Sequence, residues 1–420
     1  MTRLPAYAAM AVMAASPGVA WATSLDDAVA LALRSSPETA EARATVEFAD
    51  ARVREAWSAA LPQVAVSGAA GHGRTDLGGF FGFGKADVDP RTAQIEVREN
   101  IFSGGAVLAG VDQAKQGREA ALQMSQSTRA RLTARVAEVY GGVLYGMSVF
   151  DLATNYLAAT DEIARQARLR FNAGEIPRSD LAQADARHAE ARAELAKARE
   201  LLANARAQYR TTIGEEAGQL DPLPAPRTAP TDLDAMISAA EQANPELRAA
   251  DAGVRAARAA LRQAEAERLP SVAVVASAAT MRDQFFPGYR ADGTTIGIQG
   301  HWTLFSGGGV SARIAEARAS LRKAEAELIK AQSSVREGVV AAWSAVSSTA
   351  AGEDAVEAQV QAEQASLDSI REEVRVGQKA TLDRLNAERD LLEAQSKLAA
   401  IKTARATAYF RLEAAVGRPF

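Results

Sequence analysis

The chain spells its landmarks twice, and this duplication constrains the possible fold more than any other feature. Phe102-Ser103-Gly104-Gly105 recurs as Phe305-Ser306-Gly307-Gly308, at an offset of 203. The same offset pairs "FNAGEIPRSDL", from Phe171, with "VRVGQKATLDRL", from Val374, matching Gly174 to Gly377 and Asp180 to Asp383. Nearer the front, "LDDAVALALRSSPE" (25–38) answers "LDAMISAAEQANPE" (233–246), and Leu61-Pro62 answers Leu269-Pro270, both at 208. Four landmarks in one order make a tandem duplication, the kind of internal repeat that fixes architecture before residue-level detail does. The first repeat is read as 23–217 and the second as 233–420. Between them, 218–232 carries Pro222, Pro224, Pro226 and Pro230. Proline fixes φ and removes a donor, so this stretch reads as an extended linker.

Each repeat has the same order of signals. A short helical pattern stops before Pro37 or Pro245, because the residue preceding proline avoids the helical region. A second runs to Ala60 or Arg268. The period then changes from 3.6 to 2. "LPQVAVSGAAG" with "TAQIEVRENIF" forms one strand pair (61–102), and "LPSVAVVASAAT" with "TTIGIQGHWTLF" forms the other (269–305). Ile95 and Val97 alternate with Gln94, Glu96 and Arg98. Ile296, Ile298, Trp302 and Leu304 alternate with Thr295, Gln299, His301 and Thr303. One face is apolar and the other polar. "GGFFGFGK" (78–85) and "DQFFPGYRADG" (283–293), between the paired strands, read as loops whose aromatics suit a pore mouth or an interface.

After each Phe-Ser-Gly-Gly, long helices are expected over 103–213 and 306–416. The first member, roughly 65 residues, would reach about 100 Å at ~1.5 Å per residue. Each run breaks once, at 172–177 or 376–380, and returns. Leu181, Leu195, Leu202 and Tyr209 share one heptad position, beside Ala184, Ala191, Ala198 and Ala205. Leu391, Leu398 and Leu412 lie beside Ala387, Ala394, Ile401 and Ala408, and Ile314, Leu321, Leu328 and Val335 form a further seam. Alanine lets helices approach closely, and the heptad sets left-handed supercoiling.

A glycine-rich run before a helix can cradle phosphate, but "SGGAVLAG" and "SGGGVSAR" lack the Lys-Ser/Thr pair of a P-loop and the G-x-G-x-x-G fingerprint. A strand handing over to a helix explains them better, with Ser103 and Ser306 as N-caps.

Residues 1–22 read as a secretory leader: Arg3, the apolar "AYAAMAVMAA", and a small-x-small site at Ala20-Trp21-Ala22. The remaining 398 residues hold 47 basic and 52 acidic side chains, a balance that argues against nucleic acid. With no cysteine there is no disulfide framework, no thiolate metal site and no lipidated amino-terminal cysteine. His72, His188 and His301 are scattered, so neither metal nor cofactor is expected, and no convergent catalytic set suggests an enzyme. His188, in the heptad seam between Leu181 and Leu195, reads as a packed or pore-facing residue.

A soluble coiled-coil rod, acting as a periplasmic scaffold, would satisfy the helices alone; the strands separate the readings. A bilayer tolerates only closed barrels, and bacterial barrels need at least about 8 strands. One chain supplies four, so copies must share: two would give eight and three twelve.

The leader, the duplicated helix–strand–strand–helix plan, the paired "FSGG" turns and the hairpins "FNAGEIPRSDLAQA" and "VGQKATLDRLNAE" resemble the TolC-like outer-membrane efflux proteins over essentially the whole chain after the leader. The resemblance implies an α+β membrane protein. A 12-stranded transmembrane β-barrel of three chains, four strands each, would continue into a long α-helical coiled-coil barrel in the periplasm of a Gram-negative bacterium. It implies a homotrimer embedded in outer-membrane lipid. A periplasmic adaptor (membrane fusion) protein would join it to an inner-membrane ABC or proton-driven transporter, as the exit duct for efflux or type I secretion. Phe102, Ser103, Gly104, Gly105, Phe305, Ser306, Gly307 and Gly308 would mark the strand-to-helix junctions. Gly174 and Gly377 would form partner-contacting turns. Carried over by position, Ser179 and Asp180 would accept links from a basic donor at Lys379, and Asp383 would form an acidic ring. Asn386 falls where the family has a second acidic ring and Val374 where it has a tyrosine, so this constriction should select cations less strongly.

Overall fold

A computed structural model describes residues 23–76, 78–79, 84–224 and 232–418. The leader, part of the linker and part of "GGFFGFGK" lie outside the described residues.

The first half comprises α1 (Leu25–Ser35), α2 (Pro37–Ser58), β1 (Gln63–Ala70), β2 (Gly73–Asp76), β3 (Lys85–Val88), β4 (Arg91–Phe102), α3 (Ala106–Asn172) and α4 (Arg178–Ile213). The second comprises α5 (Leu233–Ala243), α6 (Pro245–Ala266), β5 (Ser271–Arg282), β6 (Arg290–His301), α7 (Gly309–Arg375) and α8 (Thr381–Val416). Corresponding helices have equal lengths: 11 residues in α1 and α5, 22 in α2 and α6, 67 in α3 and α7, 36 in α4 and α8. The punctuation that sets these lengths is local. Ser36 Oγ accepts from the Glu38 N–H at 3.2 Å, and Asn244 Oδ1 from the Glu246 N–H at 2.8 Å, each with proline at the first helical position. An N-cap oxygen satisfies an orphan donor, and proline there sacrifices a donor the helix could not use.

β1, β4, β5 and β6 form one antiparallel sheet in that order. Three details differ from the sequence reading. β2 and β3 pair as a small separate ribbon, Gly73 opposite Val88 and Asp76 opposite Lys85, where only a loop was expected. Four-residue strands are too short for alternation to register. β6 closes at His301 rather than continuing to Leu304, and the Trp302 indole N–H donates to the Arg268 carbonyl at 3.0 Å, turning the chain back to the end of α6. At its other end β6 begins at Arg290, taking in residues read as loop. β4 carries a bulge between Asn100 and Phe102, just before the chain leaves the sheet.

Compactness divides the chain into two units, each drawn from both halves. Of the described residues, one contains those within 23–32, 135–224 and 352–406, and the other those within 33–134, 232–351 and 407–418. In the second unit, Ile237, Leu247, Val339, Val346, Leu412 and Val416 gather one core from α5, α6, α7 and α8. In the first, small clusters follow the heptad seams: Ile163, Ala164, Ala167, Ala184 and Leu385; Ala153, Leu195 and Ala198; Leu367, Ala387 and Leu391. Each fully buried leucine or isoleucine of this kind contributes about 1.5–3 kcal/mol.

Candidate functional site: the sheet, its junctions and the helical hairpins

Both junctions are built alike. Gly104 and Gly105 have φ of 61° and 87°, and Gly307 and Gly308 of 60° and 88°, a left-handed pair that a side chain would strain. The Ala106 N–H donates to the Ser103 carbonyl at 3.0 Å and the Gly309 N–H to the Ser306 carbonyl at 3.1 Å. The serines cap from a different place than expected. With α3 starting at Ala106 and α7 at Gly309, the N-cap positions belong to Gly105 and Gly308. Each serine lies two residues upstream, its Oγ accepting from the Val107 or Val310 N–H at 3.3 Å. The paired left-handed glycines curl the chain enough for that reach. Phe102 and Phe305 are both exposed, Phe305 at 87%.

The register assigns the sheet's faces. Val64, Val97, Ala276 and Ile296 lie in one row across the sheet, and Val66, Ile95 and Ala278 in the next on the same side. This apolar face is uncovered: Val66 and Ile296 are both 78% exposed and Ile298 75%. On the other side lie Gln94, Glu96, Arg98, Ser277, Thr295 and Gln299, and Arg98 donates to Gln299 Oε1 at 2.8 Å. Among the described residues β1 and β6 each have one neighbour, so both sheet edges carry backbone groups without a strand partner there. Among the described residues, no helix is long and apolar enough to cross a membrane.

The two hairpins also share one construction. α3 ends with the Glu175 N–H donating to the Arg170 carbonyl at 2.9 Å, and α7 with the Gln378 N–H donating to Glu373 at 2.8 Å. Gly174 (φ 77°) and Gly377 (φ 81°) supply the left-handed residue that this Schellman-type closure needs. The return helices then diverge. Asp383 Oδ2 accepts from the Ala380 N–H at 3.1 Å, half of a capping box. Asp180 occupies the matching place, but its partner position is Pro177, which has no N–H. Its carboxylate accepts instead from the Ser179 hydroxyl at 3.2 Å. Of the two aspartates, Asp180 is thus the less engaged by its own helix.

Lys379 pairs within its own hairpin, Nζ to Glu373 Oε2 at 2.8 Å, and this bond raises its pKa above the ordinary lysine value. Asn386 Oδ1 accepts from Arg187 Nη2 at 3.1 Å. Arg187 also holds Glu190 at 2.6 Å. Nearby in α8, the buried Glu388 accepts from Arg371 at 2.9 Å, with Arg384 at 3.8 Å. Burial pushes the Tyr156 phenol up. Glu373, Arg187, Arg371 and Glu388 were not singled out in the sequence. The Arg384–Glu388 spacing was readable, but the burial of Glu388 depends on contacts with the preceding helix. His188 Nδ1 lies 3.9 Å from Asp161, half-buried as its seam position suggested. His72 meets Asp89, and His301 meets Thr303. Among the described residues no cluster of three or more His, Cys, Asp or Glu gathers as a metal site.

Comparison with known proteins agrees with this geometry. The family model described as outer membrane efflux protein matches residues 28–215 and 236–418. The chain is 30% identical over 401 residues to the outer membrane efflux protein BepC of Brucella suis biovar 1 (strain 1330), covering 94% of this chain and 85% of that one. It is 24% identical over 312 residues to the outer membrane protein TolC of Escherichia coli K12, covering 70% and 62%. Its fold superposes on the Campylobacter jejuni CmeC outer membrane channel with a TM-score of 0.82, at 16% identity over 94% of this chain and 85% of that one. The duplicated match, the length of the alignment to BepC and the shared fold lead to one conclusion: the chain belongs to the outer membrane efflux protein family.

Proposed function

We propose that this protein is the outer-membrane exit duct of a tripartite efflux or type I secretion system, assembled from three copies. The observation that carries this reading is the sheet. An uncovered face bearing Val64, Val66, Ile95, Ile296 and Ile298 is costly in water and favourable in lipid. The free edges of β1 and β6 make an open sheet untenable in a bilayer, and antiparallel pairing of β6 with β1 of the next copy removes both. Three copies then give the twelve strands that the family resemblance implies. The polar face, with Arg98 and Gln299, lines the pore.

In this reading a periplasmic adaptor docks at the hairpins turning at Gly174 and Gly377, and an inner-membrane ABC or proton-driven transporter supplies the work. The closed tip is held by polar links between copies. Ser179 and the less engaged Asp180 accept from Lys379 of a neighbouring copy, Asp383 forms an acidic ring, and Asn386 is a neutral position behind it. The Glu373–Lys379 pair seen within one chain competes with that latch, so the gate has two partners for one cation.

The test is extraction. Outer membranes solubilised in mild detergent should yield a protein sedimenting as three chains and conducting ions in planar bilayers. Recovery in the soluble periplasmic fraction, or as a detergent-solubilised monomer, would refute the duct.

A further inference from the structure

The duplication supplies a template for a surface that one chain leaves uncovered. In the unit that holds the sheet, α2 leads into β1, β4 into α3, α6 into β5 and β6 into α7, so the helices follow the strand order β1-β4-β5-β6. Neighbours within a repeat pack alike. Lys115 of α3 lies over the Trp57 ring of α2 at 5.4 Å, and at the matching positions Arg318 of α7 pairs with Glu265 of α6 at 3.3 Å. Across the repeats the neighbours are α6 and α3. Arg255 donates to Gln116 Oε1 at 2.7 Å, Arg262 pairs with Asp112, and a Cβ on Gly110 would lie 3.4 Å from Gln263 Nε2. The twin of that seam is α2 on α7, and one chain cannot make it because those helices adjoin opposite edges of the sheet.

Both faces of the missing seam are present and open. Ala252, Ala259 and Ala266 of α6 are buried, whereas their twins Ala44, Ala51 and Ser58 of α2 are exposed. On α7, Ala315 and Ala319 are exposed where their α3 twins, Asp112 and Gln116, are half-buried. The charges match across the gap. At the place of the Gly110–Gln263 contact the twins are Arg313 and Glu55. At the place of Arg255 stands Glu47, and Glu119, one turn beyond Gln116, is answered by Arg322, so both signs are reversed. Glu47 and Arg322 are exposed and have no ion-pair partner among the described residues. Arg313 holds Glu267 of its own chain through Nε at 2.7 Å and through Nη2, which leaves Nη1 to donate. Glu55 pairs with the exposed Arg52 at 3.2 Å.

We infer that Glu55–Arg313 and Glu47–Arg322 are the ion pairs by which identical copies recognise one another, with α2 of one copy seated on α7 of the next in the register that α6 takes on α3. This seating rests on the duct reading, because pairing of β6 with β1 is what brings the two helices together. The charges add what strand pairing leaves open. Duplicated helices make wrong seatings close in shape: α6 in place of α2 sets Arg255 against Arg322, and α3 in place of α7 sets Glu47 against Glu119. Of the four combinations, α2 on α7 and α6 on α3 oppose unlike charges. Repulsion disfavours the other two, so the code resolves an ambiguity that the repeat itself creates. One head-to-tail seam, made three times, closes the ring.

Cysteine chemistry tests the seating without background, since the chain has no cysteine. Full-length protein carrying Glu55→Cys and Arg313→Cys, treated in outer-membrane fractions with a short bismaleimide, should run on denaturing gels as linked chains up to a trimer. Gly110→Cys with Gln263→Cys calibrates the reagent's reach within one chain. An oligomer that forms without linking between copies, while the calibration variant links, overturns the seating and leaves the duct standing. Absence of any oligomer from the unaltered protein overturns both. Charge reversal tests the code, with assembly followed by sedimentation across a dilution series in mild detergent. Reversing one partner of an exposed pair should weaken each seam about two- to fivefold, and three seams in a ring multiply this to about tenfold to a hundredfold. Glu47→Arg and Arg322→Glu should each show that loss, and the two together should restore assembly, which separates recognition from misfolding. Assembly indifferent to both single reversals, or not restored in the double variant, overturns the pairs.

Discussion

Equivalent residues in the two repeats do not carry equivalent loads. Gly104 and Gly307 have nearly the same φ, yet a Cβ on Gly104 would meet Leu269 Cβ at 2.7 Å and the Ala266 carbonyl at 2.8 Å, whereas one on Gly307 would meet open space. Gly307→Ala should cost only the backbone strain, about 1 kcal/mol, and Gly104→Ala about 1–3 kcal/mol more as α6 is displaced. Urea unfolding of the two variants in detergent would show the difference. A similar asymmetry separates Asp383, which caps its helix, from Asp180, which faces a proline. At the proposed gate, Lys379→Ala should raise the frequency of channel opening about two- to fivefold, the scale expected of a screened surface link. Glu373→Gln should lower it by freeing Lys379 for its neighbour. Single-channel recording distinguishes them, and unchanged gating in both would remove Lys379 from the latch.

At the scale of elements, the caps and breaks were legible because they are local. Ser36-Pro37 and Asn244-Pro245 place helix starts within a few residues, and the Gly174 and Gly377 turns announce themselves by glycine at the end of a heptad run. The alternation in β4 and β6 was legible too, and with it the apolar face. The β2–β3 ribbon and the early end of β6 were not, because the first is too short for periodicity and the second is set by an indole bond to a distant carbonyl. The uncovered face supplies the prediction at this scale. Ile296→Arg places a charge in the row proposed to face lipid and should cost about 2–4 kcal/mol of insertion stability. The measurable outcome is loss of the heat-resistant oligomer from outer-membrane fractions, while Thr295→Arg, on the polar face, should leave assembly intact and alter ion selectivity.

For the whole molecule, the repeats and the compact units are different partitions of one chain. Sequence similarity divides it near the proline linker, whereas packing assembles each unit from both halves, because the long α3 and α7 each belong partly to one unit and partly to the other. A cut at the linker would therefore separate halves that contribute to the same cores. Leu385 of α8, for instance, is buried with Ile163 of α3 and Ala184 of α4. By itself the sequence determined the duplication, the helix lengths, the alternating strands and the four strands of the main sheet. These follow from propensities and periods that act over a few residues. Tertiary structure alone decided that Glu388 is a buried partner of Arg371, that Lys379 rests on Glu373, and that Tyr140 closes on Thr23 and Asp221. Each of those depends on which faces of distant segments meet, and that choice is made by burial and hydrogen-bond satisfaction over the whole chain.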